Sequence, residues 1–452
     1  MYRKGLEYLE EWKNRKRKPL ILRGARQVGK TYLVRKFAEL FFNNYIEINF
    51  DDMPEKAKYF ENNDVDEIIT LIETDYNKKV QIGKTLLFFD EIQSAPIVFH
   101  KLRYFYEKYP DLHIITAGSL LDFMFSDYEY SMPVGRVEYM FLGPMTFSEF
   151  LLSNKEDNLL KYLKQYNLSK TIPKPIHNKL MKYFNLFLVV GGMPGVIKNY
   201  LNSDKKLINI SREQNSIIKS YIDDLNKYAK RIKPNVVQNT FQKTPSLIGK
   251  TVKYININSD KKPHVIKASL ELLELAKVIK RVYHSASNGV PLGAEKKEKQ
   301  FKLLFLDVGL MSSILGLKLN EIYLLDDIMM INKGDVCEQF IGQHLLYMKD
   351  FYIEPEIYFW HRQKKNAEAE LDFVYDYGNK IIPIEVKSGK TGTLKSLHKF
   401  ITEKQLKIGI RFNTDLPSLY ENKSKRNSYY ILSLPLYMVE FVENILKNVM
   451  NK

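Results

Sequence analysis

The chain has 452 residues, of which 45% are hydrophobic and 27% charged, and its net charge is +16. Those proportions exclude a disordered or low-complexity protein, and the length allows about three domains with cores of their own. The single cysteine, Cys337, excludes an internal disulfide, and no Cys/His spacing suits zinc, so a reduced, cytoplasmic setting is expected. The basic charge suits a partner made of phosphates, DNA in first place, but an A/T-biased genome rich in Lys, Asn, Ile and Tyr writes the same balance.

The first stretch, MYRKGLEYLEEWKNRKRKPL, lacks an apolar core of signal-peptide length, and no continuously apolar run of about 18 residues follows, so no membrane span is expected. Leu20, Ile21 and Leu22 then predict a short buried strand. It leads into Gly24-Ala25-Arg26-Gln27-Val28-Gly29-Lys30-Thr31, after which Leu33, Phe37, Leu40 and Phe41 recur at helical spacing. Strand, glycine loop and helix in that order form a phosphate-binding arrangement. Glycines let backbone N–H groups turn toward the phosphates, and the helix start adds the positive end of its dipole. Lys30 is placed to reach the β- and γ-phosphates of ATP, and Thr31 to offer its hydroxyl to Mg2+.

Further on, KTLLFFDEIQ predicts a buried parallel strand over 86–89, with Asp90 and Glu91 emerging at its carboxyl end, where ligands sit in such sheets. Asp90 is the expected magnesium-side carboxylate and Glu91 the base for the attacking water. HIITAGSLL predicts a third strand that ends at Ser119, whose hydroxyl either senses the γ-phosphate or closes an ordinary turn. Arg136 in PVGRVEYMF is either an arginine finger or a surface arginine; if it acts from a neighbouring subunit, the protein is a homo-oligomer.

Together RGARQVGKT, LLFFDEIQ, HIITAGSLL and VGRVEYMFLGPMTFSEF resemble the AAA-type ATPase domain of a widespread bacterial and archaeal family. In that family the P-loop domain is followed by a GG-x-P element, matched by Gly191, Gly192, Met193 and Pro194. A winged-helix region and a C-terminal domain related to PD-(D/E)XK nucleases come next. The resemblance covers nearly the whole chain and implies an α/β architecture in three parts. These are an AAA-type P-loop ATPase domain with a parallel sheet over 1–152, a helical lid and winged-helix region over 153–320, and an α/β restriction-endonuclease-like domain over 321–452. It also implies that Gly192 and Pro194 approach the nucleotide, whereas the residues alone say that a helix over YFNLFLVV stops at two glycines. HVIKASLELLELAKVIKRVYH predicts one helix with Ile266, Leu270, Leu273, Ala276, Val278 and Ile279 inward, its lysines facing either a DNA groove or water. Asp307-Val308-Gly309-Leu310 resembles the family's element joining the winged helix to the final domain.

Near the end, NKGDVCEQFIGQHLLYM predicts a helix on which Glu338 shares a face with Ile341 and Leu345. AEAELDFVYDYGNK predicts a strand with Glu370 and Asp372 on one side, and IIPIEVKSG a second strand that aims Glu385 and Lys387 together. The hairpin thus presents Asp372 beside Glu385 and Lys387, with Glu338 approaching from the helix. Such carboxylates suit one or two Mg2+ ions for phosphodiester hydrolysis, Asp372 and Glu385 binding directly and Glu338 through water, while Lys387 orients or deprotonates the attacking water. The other reading makes Glu385 and Lys387 a buried ion pair in a docking module. Trp360, His361, Arg362, Lys364 and Lys365 form an aromatic and basic strip that suits a nucleic-acid backbone or guards an edge strand. The expected function is that of an ATP-hydrolysing AAA-type protein with a nuclease-like domain acting on nucleic acid. The alternative is an ATP-dependent regulatory switch whose nuclease-like domain binds without cutting.

Overall fold

Five short strands, β1 (Leu20–Arg23), β2 (Asn44–Asn49), β3 (Thr85–Asp90), β4 (His113–Gly118) and β5 (Glu138–Phe141), form an all-parallel sheet in the order β2-β3-β4-β1-β5. They are seen in a computed structural model that describes residues 1–119, 121–126, 135–203, 206–228, 232–316, 333–362, 368–389, 393–423 and 428–450. Alternation of side chains explains why β3 is apolar without a break: Leu86 and Phe88 join one core and Leu87 and Phe89 the other, so both faces are covered. The helix Lys30–Phe41 starts directly after the glycine loop and lays Leu33, Val34 and Phe37 on the first of these cores.

Beyond the sheet, the helices Lys174–Val190 and Pro194–Asn202 meet at Gly191-Gly192 with a bend of 116°. Leu186 to Val190 are buried, and among the described residues no single helix is long and apolar enough to cross a membrane.

A second, mixed sheet has eight strands: β6 (Ile279–Ser285), β7 (Lys296–Phe305), β8 (Tyr358–Arg362), β9 (Ala369–Tyr377), β10 (Lys380–Val386), β11 (Ile408–Asn413), β12 (Ser418–Lys423) and β13 (Ser428–Pro435). Their order is β12-β13-β11-β10-β9-β8-β6-β7. The β9–β10 hairpin turns on Gly378 and Asn379, both with positive φ (53° and 60°), as a tight two-residue connection requires. The β6–β7 hairpin lies within the stretch expected as lid and winged helix, yet β6 pairs in parallel with β8, so one sheet continues across the two expected parts. The junction at 320/321 lies outside the described residues, as do Lys364 and Lys365 of the basic strip.

One predicted element is corrected. The single helix expected over 264–284 is a helix, Pro263–Leu275, followed by β6. Lys277 adopts a left-handed φ of 59° and stops the helix. Val278, Ile279 and Val282, branched at Cβ, then favour the extended backbone that pairs with β7.

Candidate functional site

The loop between β1 and its helix is shaped by two glycines. A Cβ on Gly24 would lie 2.2 Å from the carbonyl oxygen of Leu142, and Gly29 holds φ at +91°. Val28 is fully buried and anchors the loop from below. Lys30 folds into the loop and donates from Nζ to the carbonyls of Gly24 (3.0 Å) and Ala25 (2.9 Å). Burial pushes its pKa down to about 8 against the pull of Glu91 and Asp90. A buried ammonium whose hydrogen bonds go to neutral carbonyls is well matched to a polyanion.

Thr31 Oγ1 donates to Asp90 Oδ2 at 2.7 Å, so the hydroxyl and the carboxylate expected at Mg2+ are already together. Burial raises the Asp90 pKa to about 6. Glu91 follows at a left-handed φ of 48°, and its carboxylate accepts a hydrogen bond from the Gln93 amide. Ser119 is buried just past Gly118, which is level with Arg23 in the neighbouring strand, so its hydroxyl belongs to the same sheet edge as the loop. These donors and acceptors fit a nucleotide with its magnesium ion.

Arg136 is not brought there. It precedes β5, whose Glu138 is level with Leu20 at the start of β1, and it pairs with Glu107 at 3.1 Å. Within one chain it sits at the sheet edge opposite the loop.

Three residues around the loop carry no signal in the sequence. Arg3 donates to the carbonyls of Val28 (2.9 Å) and Gly143 (2.8 Å) and pairs with Glu149 at 3.2 Å, buttressing the loop from the far side. Tyr221 donates its hydroxyl to the carbonyl of Arg26 at 2.5 Å, and Asp224 pairs with the Arg26 guanidinium. Pro194 faces Gly29 so closely that a Cβ there would lie 3.4 Å from Pro194 Cγ.

Behind Pro194, the Gly192 N–H donates to Asp307 Oδ2 at 2.6 Å and the Leu310 N–H to Asp307 Oδ1 at 3.0 Å. Gln343, on the helix Lys333–Leu346, donates to the same carboxylate at 3.4 Å and accepts from the Val308 N–H at 2.9 Å. Burial lifts the Asp307 pKa to about 6, and its hydrogen-bond donors are neutral.

The second group of acids lies between that helix and β7, β9 and β10. Asp372 and Glu385 stand on neighbouring strands beside the Phe373–Ile384 pair: the Val386 N–H donates to Asp372 Oδ2 at 2.7 Å, and Lys387 Nζ pairs with Glu385 Oε1 at 2.6 Å. Burial, reinforced by Asp372, raises the Glu385 pKa, and burial raises that of Glu338. The side chain that joins Glu338 to the strands is Lys302, from β7. Its ammonium lies 3.1 Å from Glu338, 2.7 Å from Glu370 and 3.7 Å from Asp372. Burial works against its charge, but the three carboxylates outweigh burial and hold its pKa above the ordinary lysine value. The three carboxylates that converge there, those of Glu338, Glu370 and Asp372, do so on the Lys302 ammonium. The arrangement of Glu338, Asp372 and Glu385 therefore does not fit the magnesium ions expected there.

A parallel sheet in this order, a glycine loop feeding a helix, and two acids at the end of β3 define a P-loop nucleotide-binding domain. Residues 16–151 match the family model described as AAA domain. Residues 181–321 and 333–437 match two further models, each described as a domain of unknown function (DUF8612 and DUF4143). Among solved structures, the chain is similar to the Walker-type ATPase PABY2304 of Pyrococcus abyssi, at 16% identity and a TM-score of 0.43 over 69% of this chain and 94% of that one. It is also similar to the ORC2 protein of Aeropyrum pernix in ADPNP and ADP complexes (11%, 0.35, 69% and 90%). A third likeness is to AMPPCP-bound DnaA of Aquifex aeolicus (15%, 0.26, 60% and 86%). No curated protein matches the chain.

Proposed function

We propose that the protein is an ATP-driven switch. Its AAA-type domain binds and hydrolyses ATP, and the bend at Gly191-Gly192 passes the nucleotide state to a carboxyl-terminal unit that docks nucleic acid without cutting it. Backbone N–H groups from Gly24 to Gly29 would cradle the phosphates and Lys30 would reach the β- and γ-phosphates. Thr31 and Asp90 would hold Mg2+, Glu91 would take the proton of the attacking water, and Ser119 would stand at the γ-phosphate. Held by Thr31 and Asp90, magnesium would supply positive charge against the charge developing in phosphoryl transfer. Arg136 would act only from a neighbouring copy in a homo-oligomer.

The observation that carries the switch is the position of the bend. Pro194 faces the nucleotide loop at Gly29, while two residues earlier Gly192 is held by Asp307. A loop that rearranges around phosphate would push on that joint, and the joint leads through Gln343 to the helix of Glu338. The division into 1–152, a lid and winged helix over 153–320, and a restriction-endonuclease-like unit over 321–452 belongs to the same proposal. In it the β6–β7 hairpin is a wing laid against the last unit. Nucleic acid, DNA first, is favoured by the net charge of +16.

Fluorescent-nucleotide binding and phosphate release test the first half. Lys30→Ala should lose ATP binding, and Glu91→Gln should keep binding while turnover falls by about 100-fold or more. Equal turnover in these two variants and the wild type would end the ATPase reading. The second half is tested with magnesium or manganese, with and without ATP, on supercoiled DNA, single-stranded DNA and RNA. Binding that ATP modulates, without cleavage, is the expected result; cleavage abolished by Glu385→Ala would instead make the unit a nuclease.

A further inference from the structure

We infer that the acidic cluster of the carboxyl-terminal unit carries its own cation. The Lys302 ammonium stands where a divalent ion would sit, closing the cluster to metal and clamping β7 to β9 and to the helix of Glu338. The inference rests on reading the unit as a docking module.

Lys302 is not a surface lysine that happens to lean inward. Its side chain is 2% exposed, and its strand position is fixed by pairing with Val282 across the hairpin. Three residues on, the Phe305 N–H and carbonyl are both bonded to the Gln339 side chain, at 2.8 and 2.7 Å, which ties β7 to the helix that also carries Glu338. The Phe359 ring lies 5.5 Å from the ammonium. Glu338, Glu370 and Asp372 thus share one ammonium that β7 delivers at a set height. Their other oxygens are partly committed: Asp372 Oδ2 to the Val386 N–H, and Glu370 Oε2 to the Thr251 hydroxyl at 3.2 Å. An ammonium and a divalent ion need the same carboxylate oxygens, and both cannot be buried there at once. Glu385 Oε2 is buried without a hydrogen-bond partner among the described residues, which marks the side on which an ion would be held once the ammonium is gone.

The test uses the full chain without nucleotide, titrated with Mn2+ and followed by the electron spin resonance of free Mn2+ and by thermal melting. The wild type should take up no Mn2+ at the cluster and its Tm should not move. Lys302→Met should melt lower in chelator, bind about one Mn2+, and recover Tm as Mn2+ is added. Adding Asp372→Asn to Lys302→Met should abolish both responses. If Lys302→Met does not fold, the pair Lys302→Met with Glu370→Gln removes a charge of each sign and is read the same way. A saturable Mn2+ site in the wild type that Asp372→Asn removes would overturn the inference, as would a folded Lys302→Met that binds no Mn2+. ATP turnover, measured in the same proteins, keeps failure of the closure separate from failure of the ATPase reading.

Discussion

His113 begins β4 with its ring packed against Trp12 and Phe42, at centroid distances of 5.9 and 4.8 Å. Burial, helped by the charges of Arg17 and Lys13, pushes its pKa down to about 3. The unfolded chain has an ordinary imidazole with a pKa of about 6.5, so below that pH it binds a proton that the folded chain refuses. This contribution to stability is therefore whole above pH 6.5 and is lost as pH falls toward 3. By pH 5 the loss is about 2 kcal/mol, at about 1.36 kcal/mol per pH unit. His113→Phe keeps a ring in the gap and removes the proton site, so its denaturation midpoint should fall less between pH 7.5 and pH 5 than that of the wild type. Equal acid sensitivity in the two proteins would show that His113 is not the group responsible. Residue-scale chemistry was legible where it is local. Gly24 to Thr31 and Asp90-Glu91 can be read because spacing along a strand, loop and helix dictates their geometry. Arg3, Asp224 and Lys302 could not be read in this way. Arg3 meets the loop at Val28 and its other carbonyl at Gly143, while Lys302 meets Glu338 across 36 positions of chain. A single charged residue in a sequence rich in charge gives no sign of such partners.

Elements show the same divide between local rules and tertiary ones. The helix end at Gly191-Gly192 follows from the glycines, but the reason for having two of them lies in other elements. Gly191 has φ 75° and ψ −171°, a region open essentially to glycine alone, and a Cβ there would lie 2.1 Å from Asp307 Oδ1. A Cβ on Gly192 would lie 2.2 Å from the carbonyl oxygen of Met145, which belongs to the loop after β5. Gly191→Ala should therefore cost about 2–4 kcal/mol from backbone strain and crowding combined. Gly289→Ala has open space around its new methyl group and should stay within about 0.5 kcal/mol of the wild type. Urea denaturation of both gives the comparison, and similar midpoints would mean that the joint is loosely packed. The sequence predicts the eight-stranded sheet only in pieces. Alternation in 369–377 and 380–386 and the turn between them predict the β9–β10 hairpin, whereas the parallel pairing of β6 with β8 joins strands more than 70 positions apart that no local pattern marks.

At the scale of the molecule the question is whether the two sites communicate. A contiguous route runs from the nucleotide loop to the helix of the acidic cluster: Pro194 faces Gly29, Gly192 is hydrogen-bonded to Asp307 and Asp307 to Gln343, and Gln343 sits on the helix that carries Glu338. A route is not coupling, which requires two states that ATP biases differently. The Arg26–Asp224 pair adds little by itself, because the Arg26 side chain is 43% exposed. Asp307 is different. It is buried, caps its own helix at Leu310 and bonds to two further segments at Gly192 and Gln343, so it cannot leave one without stranding its charge. Amide hydrogen exchange with and without ATP in Glu91→Gln, which should hold ATP without consuming it, tests this directly. ATP should slow exchange in the loop and also in the helix Lys333–Leu346. Asp307→Asn must turn an N–H toward either Gly192 or Leu310, each of which also donates, so one bond of the joint is lost. In Glu91→Gln with Asp307→Asn, ATP should still protect the loop, while protection of the distant helix should disappear. Protection confined to the AAA-type domain in both proteins would mean that the sites share a chain but no switch. Protection of the distant helix that survives Asp307→Asn would keep the switch and move its route to the direct contacts between Phe147 and His344 and between Ser148 and Glu440.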